Sequence, residues 1–289
     1  MGLITYLRHR SAAPGPGVGE LPEGVDVRAQ SWDGGPDGVL VLHGFTGSPH
    51  SMRPWAREWA RRGYAVELPL LPGHGTSVAD MATRNWREWA AAVDDAYWRL
   101  AARCERVGVA GLSMGGALAL HLAARRPVAA LSLVNPGLVS PQPLSALGGP
   151  LSRVVPTVPG VRDDIRREGV SEGAYPRVPV AAAGQMHRLF AAARRSRGAV
   201  RAPVQVLRSE VDHVVTEASL RALRAGLPQA PEVVPLPRSW HVATLDHDAP
   251  LIFAASTRFF ADHRLRATPD HTARESRPGQ PADVRRDAR

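Results

Sequence analysis

The chain has 289 residues, 44% of them hydrophobic, and a formal net charge of +9 from 36 basic and 27 acidic side chains. That length accommodates one large α/β domain or two small ones around a sizeable core. Every basic residue is an arginine, spread along the chain with no nucleic-acid-binding motif beside it, so the charge does not argue for a nucleic-acid partner.

Cys104 is the single cysteine, which excludes an intrachain disulfide. No base is implied near it, so it reads as a packing residue rather than a thiol nucleophile. No run reaches the roughly 20 apolar residues of a membrane helix. Residues 1–20 lack the apolar centre of a secretory signal, and the expected location is cytoplasmic.

Residues 1–24 are rich in Gly, Pro and charge and read as a flexible lead-in. Val39–Leu42 is a compact apolar run suited to a strand buried on both faces. Pro54 is expected to open a helix that runs to about Arg62. Tyr64–Leu68 follows as a strand. Trp86, Trp89, Ala90, Val93, Tyr97 and Leu100 then carry apolar groups at helical spacing over residues 86–103. A short strand ends at Leu112, a helix runs over about 114–126, and a strand lies near 128–134. Further on come a strand at 204–207, a helix at 219–227, a strand at 233–236 and a closing helix at 249–260. This alternation implies an α/β fold with a mostly parallel central sheet flanked by helices, built from residues 25–134 and 202–263.

Residues 135–201 are too long for a loop in a compact domain. They are rich in Pro, Gly and Arg, with one helical pattern from Gln185 to Arg195. They read as a cap inserted above the carboxyl ends of the strands, where open α/β sheets bind ligands. Residues 264–289 are polar and read as a disordered tail.

Gly111-Leu112-Ser113-Met114-Gly115 places a Gly-x-Ser-x-Gly turn between an apolar strand and an apolar helix, the pattern of a nucleophile elbow. Ser113 is the candidate nucleophile. A serine hydroxyl is weak without a base, and the base needs an orienting partner. In this arrangement the acid and then the histidine follow the serine along the chain. Asp212 lies in the loop after the 204–207 strand, with Glu210 as its nearest competitor. His241 follows the last strand, with His213 and His247 as competitors. Asp246 and Asp248 are expected to cap or charge the last helix. The backbone N–H groups of Phe45 and Met114 are candidate donors to an oxyanion. Their side chains either wall an acyl pocket or join the core. His43 reads as a loop fastener, and Pro72–Thr76 as a tight structural turn.

Several stretches resemble the bacterial monoacylglycerol lipase and carboxylesterase group of the α/β-hydrolase superfamily. They are His43-Gly44-Phe45-Thr46-Gly47-Ser48-Pro49-His50-Ser51-Met52-Arg53-Pro54, the Pro72–Thr76 turn, the Ser113 elbow through Gly116, Asp212-His213-Val214-Val215, and Ser239-Trp240-His241-Val242-Ala243-Thr244-Leu245-Asp246. The resemblance spans roughly residues 37–262. It implies an α/β-hydrolase fold, a Ser113–Asp212–His241 triad, Phe45 and Met114 as oxyanion donors, and a small cap over a narrow acyl tunnel. It also implies a carboxylic ester substrate, best a monoacylglycerol, cleaved without metal or organic cofactor.

Glu172-Gly173-Ala174-Tyr175 matches the Glu-x-Ala-Tyr stretch by which such caps meet glycerol hydroxyls, so Glu172 is a candidate head-group contact; the alternative is a solvated surface charge. Acyl transfer or amide hydrolysis on the same triad remains an alternative chemistry. A non-catalytic ligand-binding relative is an alternative of another class. Arginine charge and an apolar cap also allow weak association with a lipid surface. Oligomeric state is left open.

Overall fold

The computed structural model describes residues 24–140 and 154–265. In chain order, strands β1 (Gln30–Trp32) and β2 (Asp37–Leu42) lead to helix α1 (Pro49–Arg61) and strand β3 (Ala65–Leu68). Helices α2 (Val78–Thr83) and α3 (Trp86–Ala101) precede β4 (Arg106–Leu112), α4 (Met114–Ala123) and β5 (Leu131–Val134). Strands β6 (Thr157–Pro159) and β7 (Arg177–Pro179) and helix α5 (Val180–Ser196) come next. β8 (Val204–Ser209), α6 (Glu217–Arg224), β9 (Glu232–Leu236) and α7 (Ala249–Asp262) complete the order. The readings for residues 1–23 and 266–289 lie outside the described residues.

The main sheet runs β1-β3-β2-β4-β5-β8-β9, parallel throughout except for antiparallel β1. All six residues of β2 are buried. Strand side chains alternate between faces. Leu40, Leu42, Val109, Leu131 and Val206 enter one core with Trp89, Val93, Leu118 and Leu122 of α3 and α4. Val39, Val41, Ala110, Val134 and Leu207 enter the other with Trp55, Trp59, Phe259 and Phe260 of α1 and α7. Helices on both faces thus explain the unbroken apolar runs of the inner strands.

Register brings the working edge level. Leu112 pairs with Val134, Val134 with Leu207, and Leu207 with Val234. The residues that follow those strand positions therefore emerge along one carboxyl edge.

Three expectations change. Helix α1 starts at Pro49, not Pro54, because the Ser48 hydroxyl accepts the His50 N–H at 3.3 Å and caps it. Pro49 takes the first-turn place that proline tolerates. Pro54 then lies inside the helix and forgoes one backbone bond, while Met52, Trp55, Ala56 and Trp59 carry the helix by burial. The short elements β1 and α2 were not anticipated. The body also continues past residue 263: Leu265 is fully buried, and its carbonyl accepts the Tyr64 hydroxyl at 3.1 Å.

The stretch between β5 and β8 forms the antiparallel β6–β7 ribbon and α5. Leu189, Phe190 and Ala193 of α5 share the core with α4, so this helix is packed into the body. No described helix is long and apolar enough to cross a membrane.

Candidate active site

Ser113 stands between β4 and α4 with φ 55° and ψ −114°, a conformation that costs a non-glycine residue energy. Its neighbours must be glycine. A Cβ on Gly111 would lie 2.7 Å from the Gly115 carbonyl, and one on Gly115 would lie 2.3 Å from the Leu42 oxygen. The Ser113 amide donates to Val134 O at 3.0 Å, and its carbonyl accepts the Gly116 and Gly137 amides at 3.0 Å. The strained turn is therefore held from both sides.

The β2 loop lies against it: a Cβ on Gly44 would sit 3.6 Å from the Ser113 Cβ. Met114 opens α4, so its N–H is one of the first four without an intrahelical partner. Its side chain is fully buried in the core. Phe45 is half-buried and meets His74 and Trp89 edge-on, with ring centroids 6.1 and 5.9 Å away.

His43 fastens this loop. Its Nδ1–H donates to Gly44 O at 2.9 Å, and Nε2 accepts the Leu71 N–H at 3.2 Å. Burial pushes its pKa down to about 4, so both nitrogens are committed and the ring is neutral. In the next turn, Pro72 O accepts Trp89 Nε1–H at 3.0 Å.

The second half of the site comes from β8 and β9. Asp212 has its side chain fully buried. Oδ1 accepts the Val214 and Val215 amides at 2.9 and 2.8 Å. Oδ2 meets His241 Nδ1 at 3.1 Å and Arg208 Nη1 at 2.7 Å. Burial works to raise the Asp212 pKa. The His241 charge and hydrogen bond, the Val215 amide and Arg208 outweigh it and hold the acid down at about 2. Burial works to lower the His241 pKa, but the charge and hydrogen bond of Asp212, then the charges of Asp164 and Glu172, raise it above the ordinary 6.5. The structure thus brings Asp212 and His241 together. Glu210 and His247 are exposed, and the His213 ring turns to Asp164 at 2.8 Å. Among the described residues no hydrogen bond joins the Ser113 hydroxyl to the His241 ring.

Glu172 is buried, not solvated. Its Oε1 accepts the Asp163 N–H at 3.0 Å, and its Oε2 would lie 3.8 Å from a Cβ on Gly47 of the β2 loop. Burial drives its pKa up to about 7, against the Asp163 amide bond, while the Asp163 charge adds to the rise.

Asp246 and Asp248 do not cap α7 with their side chains. Asp248 Oδ2 accepts the Arg238 N–H at 2.7 Å. Asp246 accepts the amides of Arg166, Arg167 and Trp240 at 2.7, 3.0 and 2.9 Å.

Three residues of the site escaped the sequence reading. Asp164 Oδ2 accepts the amides of His241 and His213 at 3.2 and 3.3 Å. Asn135, at φ 44°, donates through Nδ2 to His241 O and Ser209 Oγ, each at 2.9 Å. Arg208 Nη1 donates to Asp212 Oδ2 at 2.7 Å. Only Asn135 had a signal, since it directly follows a buried strand beside the elbow. Among the described residues no cluster of three His, Cys, Asp or Glu could hold a metal ion.

A strained serine at a strand–helix elbow, with a buried Asp–His pair from the loops two and three strands along the same sheet edge, defines the class. Residues 39–284 match the model of the alpha/beta hydrolase family, and the chain belongs to that family. It is 39% identical over 235 residues to a thermostable monoacylglycerol lipase of Bacillus sp. (strain H-257), covering 80% of this chain and 93% of that one. It is 32% identical over 105 residues to a carboxylesterase of Bacillus subtilis (strain 168), covering 36% and 43%. A structure of a metagenome-derived lipolytic enzyme superposes with a TM-score of 0.80 at 36% identity, over 84% of this chain and all of that one. Ester hydrolysis is the enzyme class these relatives share.

Proposed function

We propose that the chain is a serine hydrolase of carboxylic esters that works through an acyl-enzyme. The observation that carries this reading is the Asp212–His241 contact at 3.1 Å on the edge from which the strained Ser113 emerges. In this reading Ser113 Oγ attacks the ester carbonyl carbon as His241 Nε2 takes its proton. Asp212 fixes the tautomer through Nδ1–H and stabilises the imidazolium. The Phe45 and Met114 amides receive the developing oxyanion. His241 then returns the proton to the leaving alcohol, and water, activated by His241, frees the acid and restores Ser113. The Ser113–His241 hydrogen bond forms in this reading when substrate binds, since catalytic hydrogen bonds are long in free enzymes and tighten only in the complex.

The substrate class is a monoacylglycerol. Glu172 supports it: a buried carboxyl between the 163–172 stretch and the β2 loop can accept from or donate to vicinal hydroxyls. The 39% identity to a monoacylglycerol lipase agrees with it. Residues 135–201 serve in this reading as the cap that shapes the acyl site.

The test compares p-nitrophenyl esters of rising acyl length with 1-monoacylglycerols, using Ser113→Ala as control. The expected result is monoacylglycerol turnover that falls by a factor on the order of 1,000 or more in Ser113→Ala. Short-ester turnover alone would refute the monoacylglycerol assignment, and full activity in Ser113→Ala would refute the triad.

A further inference from the structure

Arg208 follows Leu207 at the carboxyl end of β8, and its side chain is only 13% exposed. Its guanidinium is fixed at three points. Nη1 donates to Asp212 Oδ2 at 2.7 Å and lies 3.3 Å from Asn135 Oδ1, and Nη2 donates to Val215 O at 2.8 Å. The oxygen it grips is the one that meets His241 Nδ1 at 3.1 Å. The other oxygen of Asp212 is taken by the Val214 and Val215 amides. One buried carboxylate oxygen thus serves an imidazole and a guanidinium.

We propose that Arg208 is a positioning residue that acts on the base through Asp212, drawing off part of the carboxylate's charge so that His241 stays neutral in more acidic solution than it otherwise would. The proposal rests on the Ser113–Asp212–His241 reading above. Its physical basis is the function of the triad acid, which favours the imidazolium through its negative charge. Asp164 and Glu172, both from the stretch between β5 and β8, add to that pull on His241. Three acids therefore favour a protonated base, and a protonated base cannot take the serine proton. Arg208 is the cation set against them at the contact itself.

Its surroundings on the other side are acidic but weaker. Glu217 of α6 is half-exposed, with Oε2 3.9 Å from Arg208 Nε. Glu210 is exposed in the same cleft. His213, next to Asp212, is engaged by Asp164. Neither Glu217 nor Glu210 contacts the shared oxygen.

The experiment is the pH profile of kcat/KM on a p-nitrophenyl ester for the full chain, Arg208→Gln and Arg208→Lys, with Ser113→Ala as the control. Folding is followed by circular dichroism. The acid limb of Arg208→Gln is expected to move up by ~0.5–1 pH unit, so that activity below the limb drops about three- to tenfold relative to the plateau. Arg208→Lys, which keeps the charge, returns the limb to its original place. A limb unmoved in folded Arg208→Gln overturns the proposal, and so does an equal shift in Arg208→Lys. If Arg208→Gln does not fold, Arg208→Met, which keeps the packing stem, is held to the same outcomes. Loss of activity in Ser113→Ala with an unmoved limb refutes Arg208 alone. Activity retained in Ser113→Ala refutes the triad reading beneath it.

Discussion

Asp164 Oδ2 accepts the backbone N–H of His241 at 3.2 Å, across 77 residues of chain. The seam is reciprocal. Asp246, five residues past His241, accepts the amides of Arg166 and Arg167, two and three residues past Asp164. Val242 N–H adds a bond to Asp164 O at 3.1 Å. Two buried carboxylates thus stitch the 163–167 stretch to the histidine loop, and this stretch acts as a fixed floor of the site.

Removing one acceptor from that seam leaves the buried His241 amide without its bond. Asp164→Ala removes the acceptor of the buried His241 N–H and of the His213 N–H and ring. The expected cost is about 2–4 kcal/mol in urea unfolding, with kcat/KM down roughly ten- to a hundredfold as His241 loses its anchor. Unchanged kinetics in the folded variant would mean that Asn135, which holds the His241 carbonyl, suffices alone.

Glu172 predicts a trade between stability and recognition. Its folded pKa is raised from 4.5 to about 7, so the folded state binds the extra proton and stability falls as pH rises through that interval. Glu172→Gln keeps an acceptor for the Asp163 amide and sheds the buried charge. At pH 8 it should be more stable than the parent by about 1–3 kcal/mol. It should also raise KM for 1-monoacylglycerol about tenfold while leaving short p-nitrophenyl esters within roughly twofold. Equal losses on both substrates would remove Glu172 from head-group recognition.

What the sequence disclosed follows from where each residue lies. β2 and β4 are buried on both faces and read as unbroken apolar runs. Ser113, Asp212 and His241 each sit just beyond a strand, where local pattern reaches them. Strand β1 has three residues, and α2 has six, too few for any period to emerge. Pro49 and Pro54 both suit a first turn, and only the Ser48 cap distinguishes them. Asp164 and Arg208 were hidden for another reason. Asp164 follows another aspartate and Arg208 lies at the carboxyl end of a strand, and each takes its role from partners that the fold alone brings near.

The elbow allows no side chain at Gly115. The Cβ of Gly115→Ala would fall 2.3 Å from Leu42 O, a backbone atom that cannot step aside without breaking the β2–β4 pairing at Leu42 and Gly111. Overpacking of this kind costs about 1–3 kcal/mol, and here it also displaces the β2 loop from Ser113. The variant should melt earlier and label poorly with a fluorophosphonate. Labelling at the parental rate would show that the elbow can relax.

The Asp212–His241 pair separates the pH of greatest stability from the pH of activity. Asp212 has a depressed folded pKa, 3.8 falling to about 2, so its contribution is present above about pH 4 and lost as pH falls through 2. His241 has a raised one, so its contribution is present below 6.5 and lost as pH rises through the folded value. The pair therefore stabilises most between about pH 4 and 6.5. With His241 as the proposed base, catalysis needs it neutral, so the acid limb of kcat/KM should lie above 6.5, beyond that window. Urea unfolding of the parent and Asp212→Asn tests the first half. Their stability difference should shrink by about 2 kcal/mol between pH 6 and pH 2. A constant difference would show that Asp212 titrates alike in the folded and unfolded chains, and that its hold on His241 is geometric rather than electrostatic.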